Sequence, residues 1–275
     1  MPSDDIVVLK EIRKSFGDAE VLKGIDMVCG RGETMCVVGG SGAGKTTLLR
    51  LIVGLDKPTS GSIYVDGEDT VPMAERELNR VRRKFGMVYQ YAALLDSICV
   101  LDNVAFPLVE HTKLGATERR RKVLDKLVAL GLGESDLAKF PAELSGGMRK
   151  RVGLARALML DPPMVIYDEP TSGLDPLTSR SVDELIDETR RRYGVTSLVI
   201  THDIASCFLI ADHAILIDKG QIVARGTPMD LAHGESEIAR EFVLRSGVDV
   251  DSLTKDRARL RGLDAKQKGA QSRFG

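Results

Sequence analysis

The sequence predicts an α/β fold in which a mixed sheet core carries an antiparallel β subdomain and an inserted helical subdomain. Three observations predict it. Short unbroken apolar runs, Met35 to Val38, Met164 to Tyr167, Ser197 to Ile200 and Ala214 to Ile217, each end in a polar or glycine-rich turn, as strands buried on both faces do. The first 30 residues instead alternate apolar with polar, in Ile6 to Ile12 and Val21 to Val28, and Asp66-Gly67 follows a further alternating run, Ser62 to Val65. These read as antiparallel hairpins. Between about Tyr91 and Glu143 the pattern turns helical, and within Thr117 to Leu130 the residues Val123, Leu124, Leu127 and Val128 stand among Arg and Lys.

Composition bounds the function. With 275 residues and 43% apolar content the chain can bury a sizeable core. The 39 Lys and Arg against 40 Asp and Glu give a net charge of −1, so no global positive field exists to hold nucleic acid or an anionic membrane. The N-terminus, Met1-Pro2-Ser3-Asp4-Asp5, is acidic with no apolar run after it, and no uncharged stretch of about 18 residues could span a bilayer. A cytosolic chain able to dock on a membrane protein is the expectation. Cys29, Cys36, Cys99 and Cys207 lack metal-ligand spacing, at least two of them sit in apolar runs, and they read as buried reduced thiols.

The chemistry begins at Gly39-Gly40-Ser41-Gly42-Ala43-Gly44-Lys45-Thr46, which fits the phosphate-loop pattern between the Met35 to Val38 strand and a helix through Leu48, Leu49 and Ile52. Glycines let backbone N–H groups wrap a β-phosphate and the helix N-terminus adds a favourable dipole. Lys45 offsets β/γ charge, Thr46 supplies a hydroxyl for Mg²⁺, and Thr47 belongs to the same cradle. A glycine-rich turn without a ligand would share the composition but not this placement. Met164 to Tyr167 then leads into Asp168 and Glu169, which puts two acids at the carboxyl edge of the sheet, where α/β ligands bind. Asp168 is assigned to the metal and Glu169 to the general base that polarises the attacking water.

Leu144-Ser145-Gly146-Gly147-Met148 precedes an amphipathic helix with Val152, Leu154, Ala155 and Leu158, and so forms a second anion-ready helix start. One nucleotide does not need two cradles in one chain. A symmetric dimer resolves this by sandwiching each ATP between the phosphate loop of one chain and Ser145, Gly146 and Gly147 of the other. In its order and content this set resembles the ABC ATPases over about residues 6 to 245. The resemblance implies a P-loop NTPase of the ABC ATPase type with a RecA-like mixed sheet core. It also assigns Phe16 to adenine stacking, Gln90 to the Q-loop contact with Mg²⁺ or the attacking water, Asp175 to the interchain D-loop and His202 to the switch that meets the γ-phosphate.

The stretch Asn103 to Thr112 closely resembles that of the maintenance-of-lipid-asymmetry (Mla) ATPases and relatives that work with mammalian-cell-entry (MCE) proteins. Met148, where many ABC ATPases carry glutamine, points the same way. The resemblance implies an ATPase domain over 1–246, with a helical subdomain at about 91–150, and a C-terminal extension over 247–275. It further implies a homodimer on the cytoplasmic face of a bacterial inner membrane, with ATP and Mg²⁺ as cofactors, that powers a permease dimer together with a periplasmic MCE protein and a small STAS-domain subunit. The extension holds seven basic and four acidic residues, with apolar Val248, Val250, Leu253, Leu260, Leu263 and Phe274. It is expected to strap the neighbouring ATPase subunit, with Leu253 and Leu260 on one helical face, while Gly262 and Gly269 argue against a long helix. An importer ATPase for amino acids or other small solutes shares every catalytic motif. A nucleic-acid-clamping ATPase is disfavoured by the single cassette, the 99 residues between Lys45 and Ser145 and the absence of a basic surplus. A small-molecule kinase has no use for the Ser145 motif.

Overall fold

The computed structural model describes residues 4–271, with side chains through residue 262. Strands β1 (Asp5–Phe16), β2 (Ala19–Gly30), β4 (Ser60–Val65) and β5 (Glu68–Asp69) form an antiparallel sheet in the order β2-β1-β4-β5. Alternation explains most of it: β1 buries Val7 and Leu9 and, past a bulge at Glu11 (φ 49°), Ile12, and β2 answers with Leu22 and, past Gly24 (φ 92°), Ile25 and Met27. The β4–β5 turn puts Asp66 at φ 54° and Gly67 at φ 80°, the two left-handed residues that a tight hairpin of this hand requires. The Asp-Gly reading therefore holds.

The larger sheet runs β10-β9-β3-β8-β7-β6. Its strands are β3 (Thr34–Val38), β6 (Phe85–Tyr89), β7 (Met164–Asp168), β8 (Thr196–Thr201), β9 (His213–Asp218) and β10 (Gln221–Gly226). All neighbours pair in parallel except β9 with β10, so the sheet is mixed. Every residue of β3 and of β8 is buried, which is why these strands read as unbroken apolar runs. The two helices α1 (Lys45–Ile52) and α2 (Glu75–Arg82) lie between β3 and β6 in the chain.

Helices α3 (Val100–His111), α4 (Ala116–Ala129) and α5 (Gly146–Ala157) lie between β6 and β7 in the chain. On α4 the periodic positions separate: Val123 and Leu127 are fully buried, Leu124 packs on the core and Val128 is exposed. The remaining helices are α6 (Pro176–Tyr193), α7 (Ile204–Ile210), α8 (Pro228–His233), α9 (Glu237–Arg245) and α10 (Val250–Gln271).

Two tail expectations change. Helix α10 runs straight through Gly262 and Gly269; at Gly262 nothing crowds the residue, so the cost is the roughly 1 kcal/mol of glycine in a helix, which tertiary contacts offset. Leu253 and Leu260 do share a face, and that face packs on this chain's own core. Asp256 pairs with Arg180 at 2.6 Å, and Arg261 donates to Asp212 at 2.5 Å. Leu263 and Phe274 lie outside the described side chains, as do Met1, Pro2 and Ser3. Among the cysteines, Cys29, Cys36 and Cys207 are buried and Cys99 is partly so, all four as free thiols.

Candidate active site

Strand order assembles the site. Because β3, β8, β7 and β6 are adjacent and parallel, the segments that leave their carboxyl ends emerge at one edge: the Gly39 loop after β3, His202 after β8, Glu169 after β7 and Gln90 after β6. Positions more than 100 residues apart in sequence become neighbours.

The loop from Gly39 to Gly44 needs its glycines. A Cβ on Gly39 would lie 2.4 Å from the Ile217 carbonyl oxygen, and Gly44 holds φ 108° with Leu22 2.7 Å from where its Cβ would be. Gly44 caps α1 without any side-chain hydrogen bond, which leaves the first-turn N–H groups free of a capping side chain and suited to an anion. Ala43 is buried, whereas Ser41, Gly42 and Thr46 are exposed and Thr47 is half-buried. Lys45 is 8% exposed. Its ammonium donates to the carbonyls of Gly39 at 2.7 Å and Gly40 at 3.1 Å and stands 3.5 Å from a Glu169 carboxylate oxygen.

Glu169 adopts φ 49°, a left-handed conformation that costs a non-glycine residue about 1–2 kcal/mol. The turn is held from both sides, since its N–H donates to Ile200 at 2.8 Å and its other carboxylate oxygen lies 2.7 Å from His202 Nδ1. The His202 N–H donates to the same oxygen at 3.3 Å. Backbone strain of this kind concentrates at functional sites. Asp168 titrates above the ordinary carboxylate range because it is desolvated and sits beside the Glu169 charge, with Lys45 opposing.

A cleft of roughly 660 Å³ is lined by Gly40, Ser41, Gly42, Lys45, Thr46 and Glu169, and also by Ser172, His202, Phe242, Arg245 and Ser246. The last three come from α9 and the residue after it, and no local sequence signal points to them. Gln90 is at the correct strand end, but its amide donates to the Tyr91 hydroxyl at 3.1 Å and does not line the cleft. Phe16 ends β1, is 51% exposed, and has the Lys14 ammonium 4.8 Å from its ring centroid.

Ser145, Gly146 and Gly147 open α5 at an exposed position, and Ser145 accepts from the Met148 N–H at 3.3 Å. Asp175 caps α6, accepting from the N–H groups of Leu177 and Thr178 at 3.0 and 3.1 Å; hydrogen bonds from Thr178 and from those backbone groups hold its carboxyl below the usual range. Among the described residues neither cap lines the phosphate-loop cleft of its own chain.

Residues 22–172 match the family described as ABC transporter. Over 243 residues the chain is 38% identical to the probable ribonucleotide transport ATP-binding protein mkl of Mycobacterium leprae, covering 88% of this chain and 70% of that protein. It is 41% identical to the methionine import ATP-binding protein MetN of Rhizobium johnstonii, covering 82% of this chain and 61% of that one. The chain thus spans about two thirds of the length of these relatives. Its fold is similar to a dimeric post-hydrolysis state of the ATP-binding cassette MJ0796 bound to ADP and Pi, with a TM-score of 0.72, 33% identity and coverage of 81% of this chain and 99% of that one. For cbiO1 of Clostridium perfringens, part of the cbiONQ transporter complex, the TM-score is 0.77 at 32% identity, with coverage of 88% and 96%. This chain belongs to the ABC transporter family as an ATP-binding subunit with the ATPase fold.

Proposed function

We propose that this ATPase energises phospholipid transport between the inner and outer membranes of a bacterium, as a homodimer bound to an MCE-type permease complex. The observation that carries the reading is a groove of roughly 720 Å³ beside the Gln90 strand end, bordered by Tyr89, Phe106, Pro107, Glu110, His111 and Arg156. The four α3 residues among them, Phe106, Pro107, Glu110 and His111, all belong to the Asn103 to Thr112 stretch, the part of the sequence that resembles the Mla and MCE-associated ATPases. Phe106 and Val109 are nearly half exposed, an apolar rim fit to receive a short helix of a membrane subunit. The buried Asn103 braces the groove by donating to the carbonyls of Leu95 and Ile98 at 3.0 Å and accepting from the Leu95 N–H at 2.8 Å. No helix among the described residues is long and apolar enough to cross a membrane; in this reading the transport path belongs to the partner.

In this reading Phe16 stacks on adenine and the Gly39 to Thr47 segment cradles the phosphates. Glu169 polarises the attacking water and His202 orients that carboxylate while meeting the γ-phosphate. Ser145, Gly146, Gly147 and Asp175 act across the dimer. The site fits Mg²⁺: Asp168 and Glu169 outnumber the single buried Lys45, and Thr46 and Asp168 offer the hard oxygen donors it prefers, which Gln90 would join on turning away from Tyr91. Mg²⁺ there would neutralise developing phosphate charge.

The MetN relatives favour a second reading, a small-solute importer with the same catalytic site. Purification of the intact membrane complex and assay of its ATPase separates the two. The proposal expects an MCE protein in the complex and stimulation by phospholipid vesicles. A co-purifying solute-binding protein with stimulation by an amino acid would overturn it.

A further inference from the structure

Behind the cleft lies a buried polar cluster that none of these roles uses. Asp183 on α6 is 3% exposed, and among the described residues its Oδ1 has no hydrogen-bond partner. Its Oδ2 lies 3.0 Å from the hydroxyl of Ser206 on α7. The same hydroxyl is 3.1 Å from Asp203 Oδ2 and 3.3 Å from Thr171 Oγ1, and Thr171 donates to Asp203 Oδ2 at 3.2 Å. Asp203 follows His202 directly and caps α7, its Oδ1 accepting from the N–H groups of Ala205 at 2.9 Å and Ser206 at 3.3 Å. Thr171 stands two residues after Glu169. The cluster therefore joins the His202 turn to the Glu169 turn and to the helix that begins at Asp175.

Proton counting orders the chain. Asp203 accepts from the Thr171 hydroxyl and from two backbone N–H groups, whereas Asp183 reaches only the Ser206 hydroxyl and leaves Oδ1 unpaired in the interior, so Asp183 is the carboxyl with too few donors to stay ionised. Burial, with the Asp203 and Glu184 charges adding to it, pushes Asp183 up to about 8, against a bond from Ser206 and the charge of Arg180. Arg180 is itself turned to Asp256 and Glu184. From the other elements packed on it, Asp183 meets Lys150 of α5, whose ammonium donates to the Pro170 carbonyl, and the buried thiol Cys36 of β3. At neutral pH the Asp183 carboxyl then keeps its proton. It donates to Ser206, and Ser206 is free to donate to Asp203.

We propose that Asp183 is a positioning residue for His202, holding the switch turn as a hydrogen-bond donor through Ser206 and Asp203. The inference rests on the role given to His202 above. Losing the Asp183 proton reverses the first bond, draws the Ser206 proton away from Asp203 and sets the buried Asp183 carboxylate against the half-buried Asp203.

The test is Asp183→Asn, whose amide keeps the donor at every pH, beside Ser206→Ala, which cuts the chain. ATPase activity of the wild type should fall along an alkaline limb near pH 8, and Asp183→Asn should match it at pH 7 but extend the plateau. Ser206→Ala should lose about tenfold in kcat with KM for ATP changed less than twofold. Denaturant unfolding gives a readout independent of His202. The raised carboxyl binds its proton in the folded chain but not in the unfolded one between about pH 4 and 8, so stability is lost as pH rises through that window. The wild type should therefore fall away from Asp183→Asn up to about pH 8 and run parallel above it. A constant gap, or an identical alkaline limb in both proteins, overturns the proposal. If His202→Ala hydrolyses ATP at the native rate, the role of His202 and this coupling fall together, while the unfolding gap still reports the Asp183 proton.

Discussion

At the scale of single residues, the site depends on one backbone position that leaves no room for a side chain and on one carboxylate held on a strained turn. Gly39 leaves the β3 edge against the Ile217 carbonyl, so Gly39→Ala must push the loop away from β9. A cost of roughly 1–3 kcal/mol is expected, with a drop in nucleotide affinity from the displaced N–H groups; urea unfolding together with a nucleotide titration checks both. Glu169 is held between Lys45 and His202 on a strained turn. Glu169→Gln keeps its size and hydrogen bonds but removes the base. Hydrolysis should fall by about 10²–10⁴-fold with ATP binding retained, trapping an ATP-bound dimer. Steady-state turnover near the native rate would remove Glu169 from the mechanism.

At the scale of elements, α10 departs furthest from expectation. A charged segment with two glycines reads as a solvated tail or a strap between chains, yet its first three turns lie on this chain's own α7 with Leu253 and Leu260 inward. Salt links from Asp256 to Arg180 and from Arg257 and Arg261 to Asp212 flank that face. Deletion from Val250 should therefore destabilise the isolated chain by roughly 2 kcal/mol, about 4–8 °C in melting temperature at this chain length, with ATP affinity unchanged. A truncated chain that melts like the full one but no longer assembles with its membrane complex would return the tail to an interchain role.

At the scale of the whole molecule, the Ser145 and Asp175 caps point to assembly in trans. Each is exposed and neither lines its own phosphate cleft. Mixing Lys45→Ala with Ser145→Arg chains places both lesions in one site of a heterodimer and leaves the other intact, so partial ATPase activity should return on mixing two inactive proteins. Mixtures that stay inactive despite demonstrated heterodimers would argue against shared sites, provided one working site suffices.

Taken alone, the sequence determined the strands, the hairpin turn and the glycine loop, because these depend on local rules: alternation, an apolar run, a residue that must adopt positive φ. It also determined the order of the acidic and histidine turns, since each directly follows an apolar strand. Only the tertiary structure decided that β8 lies between β3 and β7, which brings His202 to Glu169. It likewise decided that the last turn of α9 lines the cleft and that Asp183 faces Ser206 and Asp203. An aspartate in an amphipathic helix is solvated by default, and no spacing within α6 marks this one for burial. What places it there is the packing of α7 across α6, a contact between segments about 20 residues apart that neither segment's own pattern encodes.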